Sequence, residues 1–186
     1  MKGFLLDPVA TFRQASDDKP CVLFSYFGAL LLLNTLLSAL VAFIPEIGNL
    51  KMSETILSGP AFLFLTIIFL MIAAFILTII VAAWVHLWVY IFGGRKGILQ
   101  TLRAVLYGNT PYLLLGWIPL VGIVFALWSI ALGILGVREL QEMSTQSAVL
   151  AVAAAIITLL IPLALLATWL MTSNMVFLPV PFSRAG

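Results

Sequence analysis

Charge is what this chain has least of. Its 186 residues include nine Lys or Arg, seven Asp or Glu and a single His. No charged residue falls within 20–45, 55–94, 104–137 or 143–183. No carboxylate lies inside any predicted membrane span, which argues against a proton-coupled pump, an aspartyl intramembrane protease or a carboxylate-lined cation path. One cysteine, Cys21, excludes an internal disulfide and any zinc cluster built on several thiolates. The lone histidine, His86, has no partner at helical spacing, and there is no Gly-x-Ser-x-Gly or phosphate loop. No enzymatic activity, metal or cofactor is therefore expected. The net charge is only +2 and no basic run exceeds Arg95-Lys96, so a nucleic-acid partner is not expected either. The start, Met1 to Pro8, is too short and too quickly acidic for a cleaved signal peptide.

What fills the chain is apolar. At 63% hydrophobic residues it carries more greasy surface than a soluble domain of its size can hide. A helix needs about 20 mostly apolar residues to cross the hydrocarbon core, and the charge-free stretches reach or exceed that length. The expected fold is all-α, a polytopic membrane helix bundle embedded in the lipid bilayer.

Five spans are predicted. The first is 22–44, ended by Pro45. The second starts at Gly59-Pro60, proline being favoured in a first helical turn, and runs to Phe92 before Gly93-Gly94. It would be roughly 50 Å long at 1.5 Å per residue, so it should tilt or push Trp84, His86, Trp88 and Tyr90 into the headgroups. Gly116-Trp117-Ile118-Pro119 reads as a tight turn between two short spans, 98–116 and 118–137. Arg103 can snorkel from the first of these to the headgroups. The fifth span is 147–172, with a kink at Pro162, and the tail 173–186 is irregular. A four-span arrangement, with 98–116 flat or re-entrant, is the alternative.

Five spans place the termini on opposite sides. With the N-terminus inside, Lys2, Arg13, Lys19, Arg95, Lys96, Arg103 and Arg138 are inner and Lys51 and Arg184 are outer, as the positive-inside rule asks. In the cytoplasmic arm 1–20, Asp7 can cap a helix opened by Pro8, with Val9, Phe12 and Ala15 on one face. That pattern suits an amphipathic helix on the inner surface, or else the arm is frayed. The membrane domain is 21–172.

Polar residues inside the spans are the candidates for function. His86 can relay protons or ligate an ion, or simply bond a nearby hydroxyl or carbonyl. Asn34, Thr35 and Ser38 can make interhelical hydrogen bonds, and the pairs Ser38/Ala42 and Ala151/Ala155 permit close helix approach. The densest feature is Tyr107-Gly108-Asn109-Thr110-Pro111-Tyr112. Pro111 frees the Tyr107 carbonyl, and Asn109 or Thr110 can satisfy the freed groups. A broken helix at membrane depth must be buried in protein or line a cavity.

Gly93-Gly94, Gly97, Tyr107, Pro111, Pro119, Leu127-Trp128, Gly136 and Glu139-Leu140 before Ser144 together resemble the Yip domain family, Ypt/Rab-interacting membrane proteins with bacterial and archaeal relatives. The likeness runs from Asp7-Pro8 and Thr11-Phe12 to Met171. It implies five spans with a cytosolic N-terminus, and trafficking or membrane-shaping roles through small GTPases and other Yip proteins. Eukaryotic members carry a longer arm with an Asp-Leu-Tyr-Gly-Pro motif, where this chain offers Leu6-Asp7-Pro8. The compact form is similar to the prokaryotic branch, which implies a prokaryotic plasma membrane.

The leading expectation is a non-enzymatic membrane scaffold working through its inner face: the arm, 93–103 and 138–144, with Arg95, Lys96, Arg103, Arg138 and Glu139 as contact residues. Its partner would be a second copy, another membrane protein or, by resemblance, a small GTPase. The rival is a small channel or transporter for an ion or solute, with a path near His86, Asn34 and Asn109.

Overall fold

The computed structural model describes residues 7–42 and 60–176, and every regular element among them is an α-helix. In chain order these are α1 (Pro8–Ala15), α2 (Pro20–Ala42), α3 (Pro60–Ile91), α4 (Ile98–Gly108), α5 (Thr110–Leu115), α6 (Val121–Leu140) and α7 (Thr145–Val176). Pro45, the Gly59 junction, Lys2, Lys51, Arg184 and the prolines of the tail lie outside the described residues. Among the described residues four helices are long and apolar enough to cross a membrane: Pro20–Val41, Phe64–Ile91, Val121–Leu140 and Thr145–Leu170. The described chain is thus all-helical, and its apolar helices make the protein a multi-pass membrane protein.

The segment expected to form the third span is two helices. α4 ends at Gly108 and α5 begins at Thr110, because Pro111 has no N–H to continue the ladder. Neither piece alone is long enough to cross. The turn that follows occupies 116–120 and leads into α6. Pro162 lies inside α7 without ending it, and that helix runs on through 173–176.

Packing is concentrated at one end of the bundle. The buried residues of α2 are Leu23, Phe27, Leu30 and Leu31; those of α3 are Ala82, Val85 and Val89; those of α7 are Ala148, Ala151, Val152 and Ala155. Ala151 and Ala155, four apart, belong to this core. Phe75 of α3 sits between Phe24 and Phe27, with ring centroids 5.9 and 5.6 Å away. Farther out the helices turn their side chains outward. The hydroxyls of Thr66, Thr78, Thr168 and Thr172 donate to carbonyls of their own helices, as suits hydroxyls facing hydrocarbon.

α4 and α6 approach closely through small residues. A Cβ on Gly108 would stand 3.0 Å from the Gly133 nitrogen. One on Gly136 would stand 3.0 Å from the Ala104 Cα and 2.9 Å from the Phe12 ring. Small residues let backbones approach in this way. Phe12, on α1, is completely buried, and Ala15 nearly so. The apolar face of α1, expected to lie on the membrane surface, is covered by protein at both positions. Removing Phe12 from water contributes about 1.5–3 kcal/mol to docking the arm. The Asp7 carboxylate accepts from the Ala10 N–H at 3.3 Å and caps α1.

Candidate functional site

The break between α4 and α5 is sealed by side chains from its own segment and from α2. The Tyr107 carbonyl, left without a donor by Pro111, accepts from the Thr110 hydroxyl at 2.6 Å. Thr110 in turn shares a hydrogen bond of 3.0 Å with the Tyr26 hydroxyl of α2. The Tyr26 and Tyr107 rings are 5.2 Å apart at the centroids. The Tyr107 hydroxyl donates to the Asp18 carboxylate at 2.5 Å. Beyond the break, the amide of Asn34 donates to the Leu113 carbonyl at 3.1 Å, and the Tyr112 N–H donates to the Ser129 hydroxyl at 3.1 Å. Thr35 bonds back to Leu31. Asn109 contributes its backbone: its N–H donates to Val105 and its carbonyl accepts from Leu113. Thr110 and Pro111 are buried.

His86 belongs to a different cluster. Its Nδ1 is 2.8 Å from the Thr101 hydroxyl. Thr101 also accepts from Nε2 of Gln141 at 2.9 Å, and the same amide donates to the Gly97 carbonyl at 2.8 Å. The Gln141 carbonyl oxygen accepts from the Lys96 backbone N–H at 2.9 Å. Thr101 and Gln141 are buried, so this knot ties α3, the α3–α4 connection, α4 and the end of α6. A lone threonine and a lone glutamine near helix ends gave no sequence signal for it.

The expected inner-face residues separate in space. Arg13, Lys96, Arg138 and Glu139 line one open cleft of about 640 Å³, with Gln100 and Glu142. Glu139 is gripped from two sides. Arg13 Nε donates to one oxygen at 2.9 Å, while Arg138 Nε and Nη2 donate to the other at 2.9 and 2.6 Å. Lys96 pairs with Glu142 at 2.7 Å. Arg95 lies outside the cleft. Its guanidinium covers the Tyr90 ring, 3.9 Å from the centroid, and donates to the Tyr90 carbonyl at 2.8 Å. Arg103 corrects the expectation of a snorkelling contact residue: it is 6% exposed and its Nη2 donates to the Asp18 carbonyl. The reason is Asp18, far away in sequence, which offers it a protein acceptor in place of a headgroup. Among the described residues, no group of three or more His, Cys, Asp or Glu is placed to hold a metal.

Residues 2–167 match the Yip1 domain. The chain belongs to the Yip1 domain family. No curated protein and no solved structure matches it. The Yip1 region takes in α1, the broken helix, the His86 knot and the charged cleft, so these sites lie within the family domain.

Proposed function

We propose that this Yip1 protein is a non-enzymatic membrane scaffold that presents a pre-assembled inner face to a protein partner. Five helical segments, α2, α3, α4–α5, α6 and α7, enter the bilayer, with the N-terminus inside and the C-terminus outside, in the plasma membrane of a prokaryote. The supporting observation is the cleft in which Arg13 of α1, Lys96 of the connection, and Arg138 and Glu139 of α6 converge. Residues far apart in the chain are brought there by helix packing, and charges at such a rim give partner choice and association rate more than raw affinity. Co-purification in mild detergent should recover a second membrane protein, a defined oligomer or a small GTPase. A partnerless monomer sinks the reading.

Use of the polar groups in the bundle points the same way. His86, Asn34, Thr110 and Tyr107 are each bonded to protein atoms, whereas a conduction path needs such groups turned toward water. Liposome flux of ions or small solutes that changes on Asn109→Leu or His86→Leu would favour the transporter reading instead.

A further inference from the structure

The hydrogen bonds around Gln141 fix where the proton of His86 sits. The Lys96 N–H can only donate, so it meets the Gln141 carbonyl oxygen; the Gly97 carbonyl can only accept, so it meets Nε2. The same Nε2 therefore donates to the Thr101 hydroxyl oxygen at 2.9 Å. The proton of that hydroxyl goes to its other partner, Nδ1 of His86, at 2.8 Å. Thr101 is completely buried, so water cannot take that role. A neutral imidazole that accepts on one nitrogen carries its hydrogen on the other. His86 is thus the Nε2–H tautomer. Among the described residues nothing accepts from Nε2, and the ring is only half-buried.

That donor lies where α3 leaves the hydrocarbon. Phe64–Ile91 is 28 residues, about 42 Å of helix at about 1.5 Å per residue, against a core of about 30 Å. The excess brings the end carrying Trp88 and Tyr90 among the headgroups, where such rings are favoured. Tyr90 is four residues beyond His86, on the same face of α3, and is exposed. Arg95 folds back over it. The guanidinium is 3.9 Å from the ring centroid, and its Nη1 is held by the Tyr90 carbonyl at 2.8 Å. Its other N–H groups have no acceptor among the described residues. A guanidinium fixed and exposed in this way suits a phosphate. His86 stands one helical turn deeper, about 6 Å, just as the ester carbonyls of a glycerophospholipid lie deeper than its phosphate. Leu87 and Ile91, both exposed, offer the acyl chains an apolar wall.

We propose that the Tyr90 end of α3 holds one glycerophospholipid, its phosphate on Arg95 beside the Tyr90 hydroxyl and an ester carbonyl on the Nε2–H of His86. The preferred lipid is anionic, because a choline or ethanolamine headgroup would bring its own cation against Arg95 and Lys96. His86 then serves two purposes with its two nitrogens: Nδ1 closes the knot with Thr101, and Nε2 reads the lipid. Arg95 lies outside the charged cleft, so the lipid site does not depend on which protein docks there.

Native mass spectrometry of the full-length protein, titrated in detergent with ester-linked phosphatidylglycerol and with its ether-linked analogue, separates the two contacts. Arg95→Ala should weaken both lipids. His86→Asn keeps an acceptor for Thr101 but has no Nε2–H, and should weaken the ester lipid alone, roughly two- to tenfold for one hydrogen bond. Equal effects of His86→Asn on the two lipids, or no effect of Arg95→Ala, overturn the site. Millimolar inorganic phosphate should leave the lipid in place; displacement would make Arg95 a site for the free anion and overturn the lipid assignment. A second readout needs no variant. His86 is the only histidine, so nitrogen NMR of histidine-labelled protein reports one imidazole. It should be the Nε2–H tautomer, and its Nε2–H signal should move more with the ester lipid than with the ether lipid. An Nδ1–H tautomer, or equal movement with the two lipids, overturns the role of His86.

Discussion

The Tyr107 hydroxyl and the Asp18 carboxylate lie 2.5 Å apart, joining the broken helix to the arm at the point where α2 begins. Tyr107 is 3% exposed and its carboxylate partner is only partly buried. Hydrogen bonds to charged groups contribute about 1.5–3 kcal/mol, against about 0.5–1.5 kcal/mol for neutral pairs. Tyr107→Phe should therefore lower thermal stability in detergent more than Tyr26→Phe, which removes a bond to the neutral hydroxyl of Thr110. Thermal unfolding followed by size exclusion gives the order directly; the reverse order would show that the Asp18 contact contributes little.

The second prediction concerns close approach. Gly136→Ala puts a methyl 3.0 Å from the Ala104 backbone and 2.9 Å from the Phe12 ring, whereas Gly133→Ala meets nothing within 4 Å. The ring can move but the α4 backbone cannot, so overpacking should cost about 1–3 kcal/mol at Gly136. Limited proteolysis of the arm should accelerate in that variant and stay at the parent rate in Gly133→Ala. Equal rates in the two variants would contradict the packing described for Phe12.

Particular residues show how far sequence reasoning reaches here. Charge-free length identified the lipid-facing helices, because placing a charge in hydrocarbon is costly whatever the tertiary structure. Pro111 announced the helix break, because a missing N–H is a local property. The docking of Phe12 was not legible, since an amphipathic face has the same periodicity whether lipid or protein covers it. Arg103 misled for a related reason: burial or snorkelling depends on Asp18, which local pattern does not place beside it. Gln141 carries no pattern at all, and its role exists only once α6 ends against Gly97 and Thr101.

Gln141 supplies the third prediction. Its amide satisfies the Gly97 carbonyl, the Thr101 hydroxyl and the Lys96 N–H together. Gln141→Leu removes the partner of the Gly97 carbonyl and of the Lys96 N–H and leaves Thr101 with His86 alone, at a site where Gln141 itself is 3% exposed; each lost hydrogen bond is worth about 0.5–1.5 kcal/mol. The variant should lose more stability than His86→Leu, which removes one partner of Thr101. Comparing their melting temperatures decides it; a larger loss in His86→Leu would place the weight of the knot on the histidine.

Arg13 should separate stability from partner binding. Its side chain is 71% exposed while Glu139 is 11% exposed, and Glu139 keeps Arg138 when Arg13 is lost. Such a half-exposed pair contributes about 0–1 kcal/mol, so Arg13→Ala should leave the melting temperature almost unchanged. The scaffold reading then requires a marked loss of co-purified partner or oligomer, read against the parent protein at equal expression. Full retention of the partner would remove Arg13 from the docking surface.

Asn34 carries the last prediction, because its effect depends on what surrounds the turn between α5 and α6. Its amide donates to the Leu113 carbonyl and, at 3.4 Å, approaches that of Tyr112. Polar contacts between membrane helices average about 0.6 kcal/mol and reach about 1.7 kcal/mol. If the end of α5 lies in hydrocarbon, no water can replace the lost donor, and Asn34→Leu should fall toward the upper part of that range. If it stands in outer water, the carbonyls rehydrate and the loss should be near zero. Unfolding in bilayer-like nanodiscs separates the two, and comparison with Thr35→Val controls for disturbance of α2, because the Thr35 hydroxyl bonds only its own helix at Leu31. A loss on Asn34→Leu no larger than on Thr35→Val would place the end of α5 in water.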